Sequence, residues 1–244
     1  MRATKFEFEQ RFWIIGAIFG LGFACYSFDQ TNAAEWLVHK LSNSDGPREL
    51  FLLRLTIAFG AALIFFCAFL RTWATAYLRT DVVHDAQQHS DELVADGPYR
   101  FVRNPLYFAN VPMAAGIGLM ASRSGWIFLT MGMWLFLYRL IFREEYGLLQ
   151  SQGESYCEYL RKVPRFWPGL SPRVPSSGLQ PRWGQAIAGE MIFWLFGLAQ
   201  LCFAITLNMK LAGIVFLSSF AFYFIVVPMV KRRTAPPCRP QIPS

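Results

Sequence analysis

The stretch DELVADGPYRFVRNPLYF, residues 91–108, decides the fold because a polar loop becomes an apolar helix within it. Gly97-Pro98 predicts a turn, and Asn104-Pro105 predicts the end of the loop. Proline is tolerated at the first position of a helix, where its missing N–H would have had no hydrogen-bond partner. We therefore expect an apolar helix to begin near Pro105.

The composition is typical of a membrane protein. Hydrophobic residues make up 54% and charged residues 16% of the 244 residues, against about 45–50% and about 25% in soluble domains. The mean hydropathy of +0.30 agrees. Five cysteines are scattered along the chain without a CxxC pair, so we expect neither a metal site nor a disulfide framework.

Apolar runs predict an all-α polytopic bundle of about six transmembrane helices. The first run lacks a small-residue cleavage site, so it is interpreted as an anchor rather than a signal peptide. Gly16 and Gly20 within it favour close contact between helices. The runs lie near residues 12–28, 51–70, 106–121, 125–142, 186–207 and 211–230.

The distribution of positive charge predicts the orientation of the bundle. If the N-terminus is cytoplasmic, 17 of the 23 Lys and Arg residues lie in inside segments and four lie in outside loops. This bias predicts that both termini are cytoplasmic, in the inner membrane if the source is bacterial. Topology and attraction to anionic lipids then explain the net charge of +7, and nucleic-acid binding is not expected.

The third and fourth apolar runs should form an antiparallel hairpin, because only Ser122 to Gly125 separate them. Helices of similar length then bring Asn104 to Tyr107 and Glu144-Glu145 to the same cytoplasmic level. From this geometry alone, the two acids could equally be solvated charges at the level of the lipid headgroups. The hairpin thus predicts that Asn104 to Tyr107 lie close to Glu144-Glu145, but it does not predict a function for them.

The polar residues occur in an order that resembles the integral-membrane methyltransferases, which include isoprenylcysteine carboxyl methyltransferase and the phospholipid N-methyltransferases. The matching residues run over about 84–168. They are Gly97-Pro98-Tyr99, Arg103-Asn104-Pro105-Leu106-Tyr107, Glu144-Glu145, Gly153, Tyr156, Tyr159 and Val163-Pro164-Arg165. The resemblance implies an S-adenosylmethionine-dependent membrane enzyme whose acceptor is lipid-like or prenylated, and whose partners are that amphiphilic substrate and membrane lipids.

The resemblance also implies roles for individual residues. Glu144 is expected beside the charged end of the cofactor and the acceptor, as a catalytic residue. The positions matching cofactor contacts are Asp91, Glu92, Leu93, Val94, Tyr99, Arg103, Asn104, Pro105, Leu106, Tyr107 and Glu145.

Arg139 is the second candidate catalytic residue, because it lies inside an apolar run. Snorkelling of its side chain to the cytoplasmic interface would explain it without a function. Lining the acceptor site is the alternative, since a carboxylate acceptor beside Glu144 would need an intervening cation. Arg143, one helical turn further on, is also available for that task.

Asn104 leaves the acceptor open. The carboxyl methyltransferase branch usually has His at this position, whereas the phospholipid branch resembles this chain in having Asn-Pro. O-methylation of an isoprenylcysteine carboxylate is the favoured interpretation, with N-methylation of a phospholipid amine as the alternative. The sequence does not predict an oligomeric state.

Two other classes of membrane protein remain as alternatives. A sterol-reductase-like enzyme using NADPH is disfavoured, because that family is expected to carry His-Arg and Arg-Asp features where this chain has Glu144-Glu145. A non-catalytic scaffold or a transporter is the other alternative, but a transporter would more often show repeated halves. A soluble Rossmann methyltransferase is disfavoured because no GxGxxG loop is present.

The predicted organisation has five segments. Transmembrane helices and an interfacial segment occupy residues 1–80, and the catalytic core with its hairpin occupies 81–170. A linker follows at 171–185, then a C-terminal hairpin at 186–230, interpreted as a closing element or an oligomer contact. Residues 231–244 are predicted to be a basic disordered tail.

Overall fold

A computed structural model describes residues 2–41, 47–78 and 95–234, with side chains described up to residue 225. Within these ranges the chain is helical, apart from short turns, loops and one isolated β-bridge between Asn32 and Ser122. The all-α prediction is therefore confirmed. The helices are α1 Lys5–Glu9, α2 Arg11–Ala24, α3 Ala33–Leu41, α4 Pro47–Tyr77, α5 Pro105–Gly118, α6 Arg123–Gln152, α7 Glu154–Lys162, α8 Trp183–Thr206 and α9 Met209–Thr234.

Helices are present at all six positions where the sequence predicts spans. Three of them, α4, α6 and α8, are long and apolar enough to cross a membrane, and the apolar stretches Arg11–Ser27 and Met209–Ile225 are shorter. The N-terminus of α5 lies at Pro105, as predicted. These helices support a membrane protein.

The helix α4 extends further than the sequence suggested. The pattern of Trp73, Tyr77 and Arg79 predicts an interfacial helix at residues 71–80, but residues 71–77 continue α4 to Tyr77 without a break. No glycine or proline interrupts this stretch, and Arg71 is hydrogen-bonded inside the bundle instead of facing the interface. Arg71, near the C-terminal end of α4, therefore lies in the interior of the helical bundle.

The centre of the bundle is α4, which packs against α3, α5 and α8. Its residues Ile64, Cys67 and Ala68 are fully buried. The hairpin of α5 and α6 completes this core, and α2 packs on the outside of α6. Ser122 ends the short hairpin connection by accepting a hydrogen bond from the Gly125 N–H at 3.1 Å, which caps the start of α6.

Glycines on α4 and α5 allow the backbones of these helices to touch. A Cβ atom added to Gly60 would lie 2.9 Å from the Gly116 carbonyl oxygen, and one on Gly116 would press into the Gly60 carbonyl. Gln200 of α8 donates to that Gly116 carbonyl at 2.8 Å. Three helices therefore meet at one point, where only glycine fits.

The prediction for Gly16 and Gly20 is wrong. A Cβ atom on either residue would meet nothing within 4 Å, so these glycines do not mediate close helix contact. Both line a cavity instead.

We predict that Gly116→Ala destabilises the protein, because the added methyl group must push α4 and α5 apart. Overpacking of this kind costs about 1–3 kcal/mol. Thermal unfolding in detergent measures the effect, and Gly184→Ala on α8 is the control because its Cβ would meet nothing within 4 Å. Equal unfolding temperatures for the two variants would contradict the backbone contact.

Candidate active site

Glu145 forms the polar centre of the site. Its carboxylate is 6% exposed and accepts hydrogen bonds from Asn104 Nδ2 at 3.0 Å and Arg165 Nε at 2.8 Å. Arg103 Nε lies 3.3 Å from the same carboxylate oxygen that Asn104 contacts. One acid of α6 therefore holds the residues before α5 and the residues after α7 together.

We call this meeting of Arg103 and Asn104 with Glu145 and Arg165 the junction. Backbone hydrogen bonds reinforce it. The Arg103 N–H donates to the Pro164 carbonyl at 2.9 Å, and Asn104 Nδ2 also donates to the Arg165 carbonyl at 3.0 Å. Asn104 makes no side-chain capping hydrogen bond to α5. The motif residues thus contact one another across about 60 positions of sequence.

Two tyrosines of α7 close the junction from the other side. The Tyr159 hydroxyl donates to the Tyr99 carbonyl at 2.8 Å, and the Tyr156 and Tyr159 rings contact each other with centroids 5.9 Å apart. Burial raises the pKa of both phenols above their ordinary range. They are therefore neutral hydrogen-bonding groups. Gly153, whose φ of +58° favours glycine, permits the turn from α6 into α7.

Glu144 points in a different direction from Glu145, because successive residues on a helix are about 100° apart. Its carboxylate is hydrogen-bonded by the Tyr107 hydroxyl, and Arg11 of α2 lies within electrostatic reach. Glu144 and Tyr107 are partly buried. Glu144 thus faces α5 and α2, where its charge would attract a bound cation. The charge of Glu145 is instead neutralised by Arg103 and Arg165.

An aromatic cluster borders the junction. Phe108 packs edge-on against Phe166 at 5.4 Å and Trp167 at 5.9 Å between ring centroids. Tyr138 of α6 contacts Phe166 at 6.0 Å, and the Arg165 guanidinium lies over the Phe142 ring at 4.4 Å. Trp167 is 72% exposed, so the cluster extends from the interior to the surface.

Asp96 holds residues 171–185, the predicted linker, against the motif loop. Its carboxylate accepts hydrogen bonds from Ser176 Oγ at 2.6 Å, the Ser177 N–H at 3.0 Å and the Leu179 N–H at 3.1 Å, and also from Ser177 Oγ. Burial alone opposes ionisation, but these hydrogen bonds outweigh it and hold the pKa of Asp96 below its ordinary value. This segment is therefore fixed in place.

The predicted site residues fall into three groups. The first group lies at the junction with Glu144 and Glu145, and the hairpin geometry predicted this for Asn104 to Tyr107. Its members are Tyr99, Arg103, Asn104, Pro105, Leu106 and Tyr107. Asp91, Glu92, Leu93 and Val94 lie outside the described residues.

Arg139 forms the third group. Its Nη2 contacts both carboxylate oxygens of Glu7 at 2.8 and 2.9 Å. Arg143 donates to the Ala3 carbonyl at 3.0 Å. Both arginines thus hold the N-terminal segment against α6, and a catalytic role for Arg139 stays a prediction.

Sequence reasoning assigned no role to Arg165 or Arg11, although both reach the acidic pair. Arg165 is part of the Val-Pro-Arg motif, so its motif membership was a usable signal. The contact of Arg11 could not be predicted, because Arg11 is one of several basic residues before the first apolar run and belongs to no motif.

Comparison with known families confirms the resemblance: residues 55–152 match the phospholipid methyltransferase family. The matched region begins in α4 and ends with α6, so it contains Tyr99, Asn104 and both acids. The chain is thus related, over this region, to a family of membrane methyltransferases.

Two characterised proteins are similar over 101 residues. The nickel-cobalt-cadmium resistance protein NccN of Alcaligenes xylosoxydans xylosoxydans is 30% identical, over 41% of this chain and 44% of that protein. The cobalt-zinc-cadmium resistance protein CzcN of Cupriavidus metallidurans is 29% identical, with the same coverage of 41% and 44%. The matched segment is thus less than half the length of either relative. No solved structure matches the chain.

We predict that Glu145→Gln destabilises the junction by about 2–4 kcal/mol. Breaking a buried ion pair leaves its partner charges uncompensated, and the lower figure allows for Arg165, which is 34% exposed. Chemical denaturation in detergent measures the loss. Glu158→Gln is the control, because Glu158 is 63% exposed and, among the described residues, pairs only with Lys162 on its own helix. A wild-type midpoint for Glu145→Gln would show that the junction does not depend on this charge.

We predict that the contribution of Asp96 to the stability of the fold depends on pH. Its folded pKa is lowered, so its stabilisation is complete above the unfolded value of about 3.9 and is lost as the pH falls through the folded pKa. Asp96→Asn should lower the unfolding temperature near pH 7, and the difference from wild type should shrink near about pH 3. A difference that stays constant between these pH values would exclude ionised Asp96 as the cause.

Proposed function

We propose that this chain is an S-adenosylmethionine-dependent methyltransferase that acts on an amphiphilic, lipid-like acceptor. The observation that supports this most strongly is the convergence of Tyr99, Asn104 and Tyr107 with Glu144 and Glu145. All five residues lie in the region that matches the methyltransferase family.

The chemistry of the donor set fits a cationic cofactor. Glu144 is an acid that the Tyr107 hydroxyl orients, and a carboxylate in a partly buried site attracts a positively charged group strongly. The neighbouring Tyr99 is 9% exposed and adds an aromatic wall. When bound, S-adenosylmethionine would supply an electrophilic methyl group. Glu144, Tyr99 and Tyr107 are the described residues that would hold it.

The position of the site in the bundle is compatible with a water-soluble donor and a lipid-like acceptor. We infer from the charge bias of the loops that the N-terminus of α5 and the C-terminus of α6 face the cytoplasm. A water-soluble donor would then arrive from the cytoplasmic side, while a lipid-like acceptor would enter from the bilayer. The residues at this junction act mainly by alignment, which can supply up to about 7–11 kcal/mol in favourable intramolecular reactions.

Two acceptor groups are consistent with the site. The carboxylate of an isoprenylated cysteine is the first, and Arg11 beside Glu144 provides a cation within reach of the site. The amine of a phospholipid is the second, and it is favoured by Asn104 and by the phospholipid methyltransferase family match. Glu144 would orient an amine directly through its charge.

We predict that Glu144→Gln lowers the rate of methyl transfer about 100-fold, the typical loss when one preorganised electrostatic contact is removed. The measurement is transfer of labelled methyl groups from S-adenosylmethionine to a lipid extract and to N-acetyl-S-farnesylcysteine. Glu158→Gln should retain the wild-type rate. If Glu144→Gln retained it too, in folded protein, Glu144 would have only a structural role.

We predict that Tyr107→Phe weakens binding of S-adenosylhomocysteine, measured by calorimetry. The substitution removes only the hydroxyl that orients Glu144, so a loss of about ten-fold is expected. Tyr146→Phe is the control, because Tyr146 is 40% exposed and its hydroxyl contacts Gln150 on the same helix. Equal affinities for both variants would place the cofactor elsewhere.

A further inference from the structure

An apolar cavity of about 880 Å³ lies among α2, α4, α5, α8 and α9. Its walls are rich in phenylalanine, contributed by helices that are distant in sequence. They include Phe12, Phe19 and Phe23 of α2, Phe193 of α8, and Phe216 and Phe220 of α9. Such a lining suits a hydrocarbon chain.

The cavity is long enough for the chain of one leaflet. Glu190 and Phe203 both line it, and they are separated on α8 by about 20 Å at about 1.5 Å per residue. One leaflet is about 15 Å thick, half of a hydrocarbon core of about 30 Å. The cavity thus runs through a depth of the bundle comparable to an extended lipid tail.

One end of the cavity is polar. Glu190 of α8 is 1% exposed and contacts Arg71 of α4 through two hydrogen bonds, of 2.6 and 3.2 Å. Thr75 donates to the same carboxylate at 2.8 Å, and Arg71 donates to Asn110 Oδ1 at 3.0 Å. Arg71, Asn110 and Glu190 all line the cavity.

This polar end retains hydrogen-bond donors. An arginine has five N–H donors, and among the described residues three of those on Arg71 are used. The Asn110 amide nitrogen donates to none of the described residues. Both side chains can therefore donate to an oxygen atom in the cavity.

The polar end of the cavity lies near the candidate active site. Tyr99 is within electrostatic reach of Glu144 and also of Arg71 and Glu190. The three residues of the polar end are each within about two turns of the helix terminus on the side of the junction. An amphiphile in the cavity would thus have its head at the junction end of the bundle.

The C-terminal hairpin supplies one wall of this cavity. Helices α8 and α9 lie beyond residues 55–152, the region that matches the methyltransferase family. Burying a charge at membrane depth is costly, and such residues are commonly functional. The position of Glu190 therefore favours a role in a site over a role as a lipid-facing clamp.

We propose that this cavity binds the hydrocarbon chain of the acceptor, while Arg71 and Asn110 donate hydrogen bonds to a carboxylate or phosphate oxygen in its head group. The proposal rests on the proposed function and names its acceptor class. Glu190 is a positioning residue, because it orients the Arg71 guanidinium through two hydrogen bonds. The C-terminal hairpin thereby becomes part of the acceptor site.

Filling the cavity tests the chain-binding part. Gly16 and Gly213 line it, and a Cβ atom on either would meet nothing within 4 Å, so Gly16→Phe and Gly213→Phe should fold. We expect each to weaken binding of N-acetyl-S-farnesylcysteine and of lysophosphatidylethanolamine more than about ten-fold, measured by calorimetry without cofactor. Gly184→Phe, outside the cavity but equally unhindered, should bind as wild type. Wild-type affinity in both cavity variants would overturn the proposal.

Removing a donor tests recognition of the head group. Asn110→Leu should weaken binding of one or both oxyanion probes about ten-fold, and the probe that loses affinity identifies carboxylate or phosphate as the preferred head. Binding of farnesol, which lacks an oxyanion, should not change. Equal effects on all three probes, or on none, would overturn the head-group assignment.

The role of the Arg71–Glu190 pair is tested by a binding preference, which a loss of stability alone would not change. The double variant Arg71→Met with Glu190→Met replaces the ion pair by apolar side chains, which proteins often tolerate. It should lose the preference for oxyanion probes over farnesol while still binding farnesol. A retained preference would show that the Arg71–Glu190 pair does not recognise the oxyanion.

These binding measurements use no S-adenosylmethionine and so separate the two proposals. Absence of binding alongside methyl transfer to lipids would overturn the cavity proposal alone. Binding without any methyl transfer would overturn the proposed function.

Discussion

The ion pairs of Glu145 are the interaction on which the junction depends. A carboxylate that is 6% exposed is costly to bury, and it is tolerated because Arg103, Arg165 and Asn104 surround it. These partners come from before α5 and after α7, so satisfying one acid brings distant segments of the chain to the end of one helical hairpin. Glu144, the preceding residue, faces α5 and α2, where it contacts Tyr107. The two acids thus differ: Glu145 pairs with Arg103 and Arg165, whereas Glu144 contacts Tyr107.

A second buried ion pair follows the same rule. Glu190 and Arg71 join α8 to α4 at the same end of the bundle, where Thr75 also donates to Glu190 and Asn110 accepts from Arg71. Buried pairs stabilise a fold weakly against apolar alternatives, but removing one partner is strongly destabilising. Two such pairs lie near a partly exposed aromatic cluster and form a polar region at one end of the bundle. A reaction that joins a soluble donor to a lipid-like acceptor requires such a region.

Much of this arrangement could be predicted from local sequence features. The Asn104-Pro105 dipeptide fixed the start of α5, and the short turn at Ser122 fixed the hairpin that brings Asn104 to Glu145. The Arg71–Glu190 pair could not be predicted, because 119 positions separate the residues and no periodicity links two helices that cross. Gly16 was misinterpreted for a similar reason: small residues mark either contact or empty space, and only the neighbouring helices decide which. Residues 171–185 have the composition of a linker, yet Asp96 fixes them through hydrogen bonds that composition does not reveal.

The location of the cofactor at the junction is the central claim, and hydrogen exchange tests it most directly. Amide exchange of the purified protein in detergent would be compared with and without saturating S-adenosylhomocysteine. We expect slower exchange in peptides that contain residues 95–107 and 144–145, with unchanged exchange in α3 at the opposite end of the bundle. Slower exchange confined to other segments, or no change in exchange although calorimetry shows binding, would contradict it.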